Sequence, residues 1–480
     1  MTRVLEFVVA LIIVFILAVI FGLFLPSSAH IERSIEISHN PEHIYDVLNN
    51  FRNFRQSTGA GLAALDPGVK LALSGPAYGP GATVTWTGNK AIGNGKLVNK
   101  SGHIDITDKS TVTWDLTNDW HGFDKVFTLT VDPRQNQRVS KVTWSYDVKY
   151  GWNLIARYSQ FWIHGDPSTV IQFGLGSLQN MLAGVANVDY SKVHPGIYEM
   201  PATPVLLVRT KAPRTVDDID TAKAAAMTEL QAAMKKLGVT QTGPATTIRS
   251  QWGDTTFVFD YVVPINTSTL TIDGTSHDLT KLPPQPVVGQ AAAAPAPASS
   301  AASASSVASA SSAGVPASGS SAGAAATASN GPAPGSVNAD NQLIVNANVR
   351  AMMMPAGKTL AASWTGESGI QFMVKALEAY AATHGYQFDE TVEPAYNQLA
   401  SLPSVSDDAQ IFRVYLPIAD APAKTPDQLD GTNKPFTPLD ASLWNGNAPA
   451  ASAGKKKADT KKKPEARKRP VHEKKRRRGR

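Results

Sequence analysis

His39 and His43 stand four residues apart, the spacing that brings two imidazoles onto one helical face, as a metal site requires. Pro41 lies between them at a helix start, no glutamate completes a zinc-protease pattern and no third ligand follows, so no metal is expected. Gly319-Ser320-Ser321-Ala322-Gly323 has the letters of a nucleophile elbow, but no strand leads into it to aim the serine. Glu393 and Tyr396 are an acid and a phenol three residues apart, a pair that could act as acid and base on a small substrate. His103, Asp105, Asp115 and His121 are scattered and form no such pair. The absence of cysteine removes thiolate nucleophiles, disulfides and thiolate-held metals. With no cofactor motif and no complete catalytic set, these residues point to binding more than to chemistry.

A short pattern occurs twice. Met200-Pro201-Ala202 opens a segment that closes on Tyr261-Val262-Val263-Pro264-Ile265, and Met354-Pro355-Ala356 opens one that closes on Val414-Tyr415-Leu416-Pro417-Ile418. The openings are offset by 154 residues and the closings by 153, so the copies are nearly equal in length. Ile219, Met227, Leu230, Met234 and Leu237 form a helical stripe in the first copy, and Ile370, Met373, Leu377 and Tyr380 form one in the second. Strand-like runs flank both, so each copy reads β-α-β-β. Two copies of one unit imply a pseudo-symmetric domain with a binding site where they meet. No charged residue occurs between Lys281 and Asp340, a stretch rich in Ala, Ser, Pro and Gly that reads as a disordered linker. Such a tether spans roughly 40 Å, enough to join two halves of one domain.

Residues 31–190 read as one α+β unit. Ile31, Ile35 and Ile37 suggest a strand; Asn40 followed by Pro41 predicts a capped helix with Ile44, Val47, Leu48 and Phe51 on one face. Strict alternation through Val142, Trp144, Tyr146, Val148 and Tyr150, and shorter alternations around Val84, Val112 and Phe127, predict an antiparallel sheet with one buried face. Asp166-Pro167 then caps a helix buried through Ile171, Leu175, Leu178 and Leu182, ending at Gly184.

Residues 7–25 are apolar apart from Gly22 and would cover roughly 30 Å as a helix, the thickness of a bilayer core. That length favours an uncleaved anchor, although Ser27-Ser28-Ala29 could serve as a signal-peptide cleavage site. Arg3 before the run and the near-balance of Glu32 and Arg33 after it place the body outside the cytoplasm. In a bacterial-type cell that means a single-pass inner-membrane protein with a periplasmic soluble part. The net charge of +6 is unevenly distributed: residues 455–480 hold fifteen Lys or Arg against three acids, which leaves the rest of the chain acidic. The body is therefore not a nucleic-acid surface, and the disordered basic tail suits anionic lipid or another polyanion.

The line Ile31-Glu32-Arg33-Ser34-Ile35-Glu36-Ile37-Ser38-His39-Asn40-Pro41-Glu42-His43-Ile44-Tyr45-Asp46-Val47-Leu48 resembles the opening of the SRPBCC (START-like, polyketide cyclase/dehydrase) superfamily. Gly79-Pro80-Gly81, Lys141-Val142-Thr143-Trp144 and the terminal helix extend the resemblance over about 160 residues. It implies a helix-grip fold: a curved sheet around a long helix, with an apolar cavity that Trp114 and Trp144 would line.

The paired copies resemble the GyrI-like effector-binding domain of AraC-type and MerR-type regulators. The carrying residues are Gly243-Pro244-Ala245 and Phe259-Asp260-Tyr261 in the first copy, and Trp364-Thr365-Gly366 and Glu393-Pro394-Ala395-Tyr396 in the second. The resemblance implies an aromatic-lined groove holding a cationic or lipophilic ligand, with Glu393 and Tyr396 as site residues and Trp364 and Trp252 as walls. It also implies an acid in the last strand of each copy. Asp260 fits, whereas Arg413 departs and could instead pair with Asp260 across the pseudo-twofold.

The expected organisation is an anchor (1–29), a START-like domain (30–192), the first half of a GyrI-like domain (197–270), a disordered linker (271–342), the second half (343–420) and a disordered basic tail (421–480). The expected function is membrane-anchored binding of a small lipophilic or amphipathic ligand. A hydrolase or cyclase working in one of these cavities, or an envelope scaffold holding polyanions through the tail, are the alternatives.

Overall fold

The computed structural model describes residues 2–90, 92–135, 137–163, 165–283, 333–366, 369–389, 392, 394–399 and 411–433. Most of the charge-free tract (284–332) and the basic tail (434–480) lie outside the described residues, as do Glu393 and the Gly319–Gly323 letters. The fold is mixed α+β, with two large antiparallel sheets and an apolar N-terminal helix.

That helix, α1 (Thr2–Phe24), carries no polar stripe, and its side chains lie exposed. It is long and apolar enough to cross a membrane, as an anchor or a signal sequence can be. Strand β1 (Ser28–Ile37) leads into α2 (Pro41–Leu48), where the Asn40 side chain accepts the Glu42 N–H and Pro41 takes the first turn. After α3 (Ala60–Leu65) come β2 (Lys70–Ser74), β3 (Thr83–Thr87), β4 (Asn94–His103), β5 (Ser110–Asn118), β6 (Phe123–Arg134) and β7 (Val139–Lys149). They form a seven-stranded sheet ordered β1-β7-β6-β5-β4-β3-β2. A short α4 (Leu154–Tyr158) and a 3-10 turn (Ser159–Trp162) precede α5 (Asp166–Ala183). Helix α5 starts at Asp166 itself, so Gly165 holds the cap position without a side-chain hydrogen bond. Ile171, Leu175, Leu178 and Leu182 bury its inner face against the alternate residues of β5, β6 and β7, one core shared by sheet and helix.

The second sheet begins with β8 (Gly196–Met200) and β9 (Thr203–Pro213), followed by α6 (Val216–Leu237), β10 (Thr246–Trp252) and β11 (Thr256–Pro264). A hairpin, β12 (Thr269–Ile272) and β13 (Thr275–Asp278), stands apart. Beyond residue 332 come β14 (Leu343–Ile344), β15 (Val349–Met354), β16 (Gly357–Thr365), α7 (Ile370–His384), β17 (Gln387–Phe388), β18 (Ala395–Leu399), β19 (Ile411–Asp420) and α8 (Pro426–Leu429). The main order is β14-β15-β9-β11-β10-β18-β19-β16-β8, with β17 on β19. The opening strands are exchanged: β8 pairs with β16 and β15 pairs with β9. Each Met-Pro-Ala corner is the point where the chain crosses from one half to the other, Met200 lying opposite Gly357 and Met354 opposite Thr203. Proline has no N–H to give a ladder, which suits a corner where pairing changes partner. Helices α6 and α7 cover one face of the sheet, α6 against Leu206, Val208 and Val263, and α7 against Leu360, Phe412 and Val414.

Candidate functional site

A cavity of about 620 Å³ opens at one end of the first domain. The β3–β4 turn supplies Asn89, Ile92 and Asn94; the β5–β6 turn supplies Asp119, Trp120 and His121; β7 supplies Tyr146 and the residue just past it, Tyr150; and the α4–α5 connection supplies Ser159 and Ile163. Inward alternation along β7 is what brings Tyr146 and Tyr150 to one wall. Trp120 meets Tyr146 edge to face at 5.8 Å. Its turn is held by the buried Lys125, whose Nζ donates to the Asn118 carbonyl (2.7 Å), the Asn118 Oδ1 (2.8 Å) and the Trp120 carbonyl (2.5 Å). Burial lowers the Lys125 pKa, and burial raises that of both tyrosines, so the phenols remain neutral donors. The result is an aromatic wall with a polar rim, on which Asp119 accepts the Asn94 N–H at 3.1 Å.

Behind this mouth the space between sheet and α5 is full. Trp114 and Trp144 are 0% and 1% exposed and cross edge to face at 5.7 Å, with Phe127 packed on Trp144 at 5.3 Å. A void of only about 10 Å³ remains, bordered by Trp86, Trp120 and Trp144. That is at the lower limit for one water molecule. Trp120 borders both spaces and stands as the partition between them. Its indole N–H, like those of Trp86, Trp114 and Trp144, finds no acceptor among the described residues. Trp114 and Trp144 therefore sit in the packed interior, and the open volume lies one layer outward, at Trp120, Tyr146 and Tyr150.

The structure distributes the other expected site residues over two faces of the second sheet. Asp260 is in register with Ile248, and Ile248 with Ala395, so these three share a face; Tyr396, one residue on, points to the other. Tyr396 is buried on the helix-covered side, with Lys223 of α6 5.3 Å from its ring centre. Trp364 packs on Phe372 of α7 at 5.3 Å, on the same side. Asp260 takes a two-pronged ion pair from its cross-strand neighbour Arg209 (2.8 and 3.0 Å). Arg413 donates to its own cross-strand neighbour, Ser363 (3.2 and 3.3 Å). Asp260 and Arg413 thus occupy equivalent positions in the two halves but pair with β9 and β16, not with each other. Residue Trp252 ends β10, and its side chain lies outside the described ones.

A polar cluster joins the two domains. The Tyr190 hydroxyl donates to Asp46 of α2 at 2.6 Å and lies 3.0 Å from the Thr383 hydroxyl of α7. His43 stacks on Tyr190 at 4.3 Å and His384 on Tyr380 at 3.9 Å. Asn53 and Arg52 donate to the Ala382 and Gly385 carbonyls, capping α7 from the other domain. Burial raises Asp46 to about 7 and Glu42 to about 8, and lowers His43 to about 3 and His384 to about 4. His39 and His43 approach within 3.1 Å through their Nδ1 atoms, a contact inside this cluster. Among the described residues no group of three His, Cys, Asp or Glu side chains is arranged to hold a metal ion.

No protein-family model and no curated protein matches the sequence. Among solved structures, truncated norcoclaurine synthase from Thalictrum flavum is 12% identical over 33% of this chain and 94% of its own, with a TM-score of 0.26. The C-terminal domain of EcmrR is 8% identical over 48% of this chain and 99% of its own, with a TM-score of 0.28. An uncharacterized protein from Bacillus thuringiensis is 16% identical over 32% of this chain and 99% of its own, with a TM-score of 0.22. At these values no residue of theirs is mapped onto this chain.

Proposed function

We propose that this protein is a membrane-anchored binding protein for a small lipophilic or amphipathic molecule, held at the mouth of its START-like domain. The observation that carries the reading is the cavity of about 620 Å³ walled by Trp120, Tyr146, Tyr150, Ile92 and Ile163. Its size lies within the roughly 300–1,000 Å³ range of small-molecule sites, and an apolar wall with few polar groups is the usual composition. The rim carries an acid, Asp119, and an imidazole, His121, suited to the polar head of a molecule whose apolar body lies on the aromatic wall. Two other open spaces lack such a wall. One of about 430 Å³ lies between residues 184–186 and α7, and one of about 910 Å³ is edged by Lys100, Asp115, Asp124 and Lys149. The paired second domain, with its GyrI-like sequence pattern, is read as an effector-binding module joined to the first through the polar cluster.

The test is native mass spectrometry of the full chain purified from membranes in a mild detergent. A co-purifying amphiphile is expected, and Trp120→Ala and Tyr150→Ala should lower its occupancy while the fold persists. A wild-type chain that arrives empty and takes up no added fatty acid or lysophospholipid would refute the reading.

A further inference from the structure

The segment between β7 and α5 packs directly on the end of α1. Arg157 Nη1 donates to the Leu23 carbonyl (3.0 Å) and the Leu25 carbonyl (3.1 Å), satisfying the C-terminal end of α1 with a cation where its dipole is negative. The Tyr158 hydroxyl donates to the Ala18 carbonyl at 2.6 Å. Gly22, the one interruption in the apolar run, permits this approach: a Cβ there would meet the Tyr158 ring at 3.1 Å. Ala18 lies six residues before the helix end at Phe24, about 9 Å along the axis, so the α4 segment reaches that far down the flank of α1.

The outward side of the same segment is apolar and open. Trp152 is 85% exposed, Ile155 77% and Phe161 57%, against 46–84% for the exposed large apolar side chains of α1 itself. Phe123 extends the patch, its ring lying 3.1 Å from where a Gly151 Cβ would stand, and Arg157 links the patch to α1 through its stack over Trp152 at 5.6 Å. An apolar helix exposed on all sides is stable only where lipid covers it. Trp152, Ile155 and Phe161 belong to the segment that packs on that helix through Arg157 and Tyr158, which commits them to the same occupant.

We infer that residues 152–161 form a wedge lying in the interfacial layer of the bilayer that α1 spans. A depth of about 9 Å agrees with the roughly 5–10 Å to which interfacial helices sink their apolar faces, and tryptophan with arginine is the expected belt chemistry at that level. Ser159 and Ile163 line the mouth cavity and flank Phe161, so the cavity opens beside the leaflet and receives an amphiphile laterally from it. This rests on the reading of α1 as a retained membrane segment.

The absence of native cysteine permits a direct test in the full chain reconstituted into phosphatidylcholine–phosphatidylglycerol vesicles. Spin labels at Ile155→Cys and Phe161→Cys are compared with Phe15→Cys on α1 and Lys235→Cys on exposed α6. Oxygen and a water-soluble nickel chelate serve as collision partners. Labels at 155 and 161 should be reached by oxygen, shielded from nickel and placed about 5–10 Å deep. If 155 and 161 are as open to nickel as 235 while 15 stays lipid-protected, the wedge is wrong and the anchor stands. If 15 is also open to nickel, the anchor reading itself fails. Shielding of 155 and 161 from both collision partners, with spin–spin broadening, would assign the patch to a second copy of the chain and overturn the proposal.

Discussion

The interior of the first domain and the joint between the domains are both buried, yet they are built from opposite materials. The interior is filled by Trp114, Trp144 and Phe127, and the two indole N–H groups find no acceptor among the described residues. The joint is filled by Asp46, His43, His384, Tyr190 and Tyr380, linked by hydroxyl bonds and stacked rings. The first kind of burial is indifferent to pH and depends on volume. The second depends on which groups hold protons, and it ties the first domain to the paired sheet through groups whose burial disfavours charge.

The largest expected effect lies in the interior. Trp144→Ala should cost about 3–5 kcal/mol in denaturant unfolding, and the loss should be the same at pH 6 and pH 8. A loss below 1 kcal/mol would mean that the packed space is not a core. At the joint, Tyr190→Phe removes the donor to Asp46 and should cost about 1–3 kcal/mol. Combined with Asp46→Asn its effect should be clearly non-additive, because the two side chains share one bond.

The pH dependence separates the regions further. Asp46 and Glu42 have folded pKa values raised to about 7 and about 8, so their contribution is present below about pH 4 and is lost as pH rises through those values. His43 and His384 are lowered to about 3 and about 4, so their contribution is present above pH 6.5 and is lost as pH falls toward those values. Between about pH 4.5 and 6.5 the two pairs largely offset. From about 6.5 to 8 only the acids titrate, and stability should fall by up to about 1.4 kcal/mol per pH unit for each proton released. Asp46→Asn should flatten that slope to the share of Glu42; an unchanged slope would remove Asp46 from the account. The smallest effect belongs to a site in neither region. Phe161→Ser should leave unfolding of the detergent-solubilised chain within about 0.5 kcal/mol of wild type, since its side chain is 57% exposed.

Much of the first domain was readable from periodicity. The residues expected on the faces of α2 and α5 are buried, and the alternation from Val142 to Tyr150 gives the inward face of β7. The open cavity was less legible, because Trp120 and His121 reach it from a turn whose direction no alternation reveals. The joint was not legible: Asp46 and His384 are polar residues on helices, and nothing local distinguishes them from solvated positions. Asp260 and Tyr396 both read as residues of one groove, but the pairing of β10 with β18 puts them on opposite faces.

The sequence by itself determined the elements: which runs are strands, which faces are apolar, that one helix can span a membrane, and that a unit occurs twice. These follow from local periods of 2 and 3.6 residues and from composition. Tertiary structure alone decided that the opening strands of the two copies are exchanged at the Met-Pro-Ala corners, that α4 lies along the end of α1, and that Asp46 meets Tyr190 and Thr383. Those outcomes depend on register and on contacts between residues far apart in the chain, whose energies no short window of sequence contains.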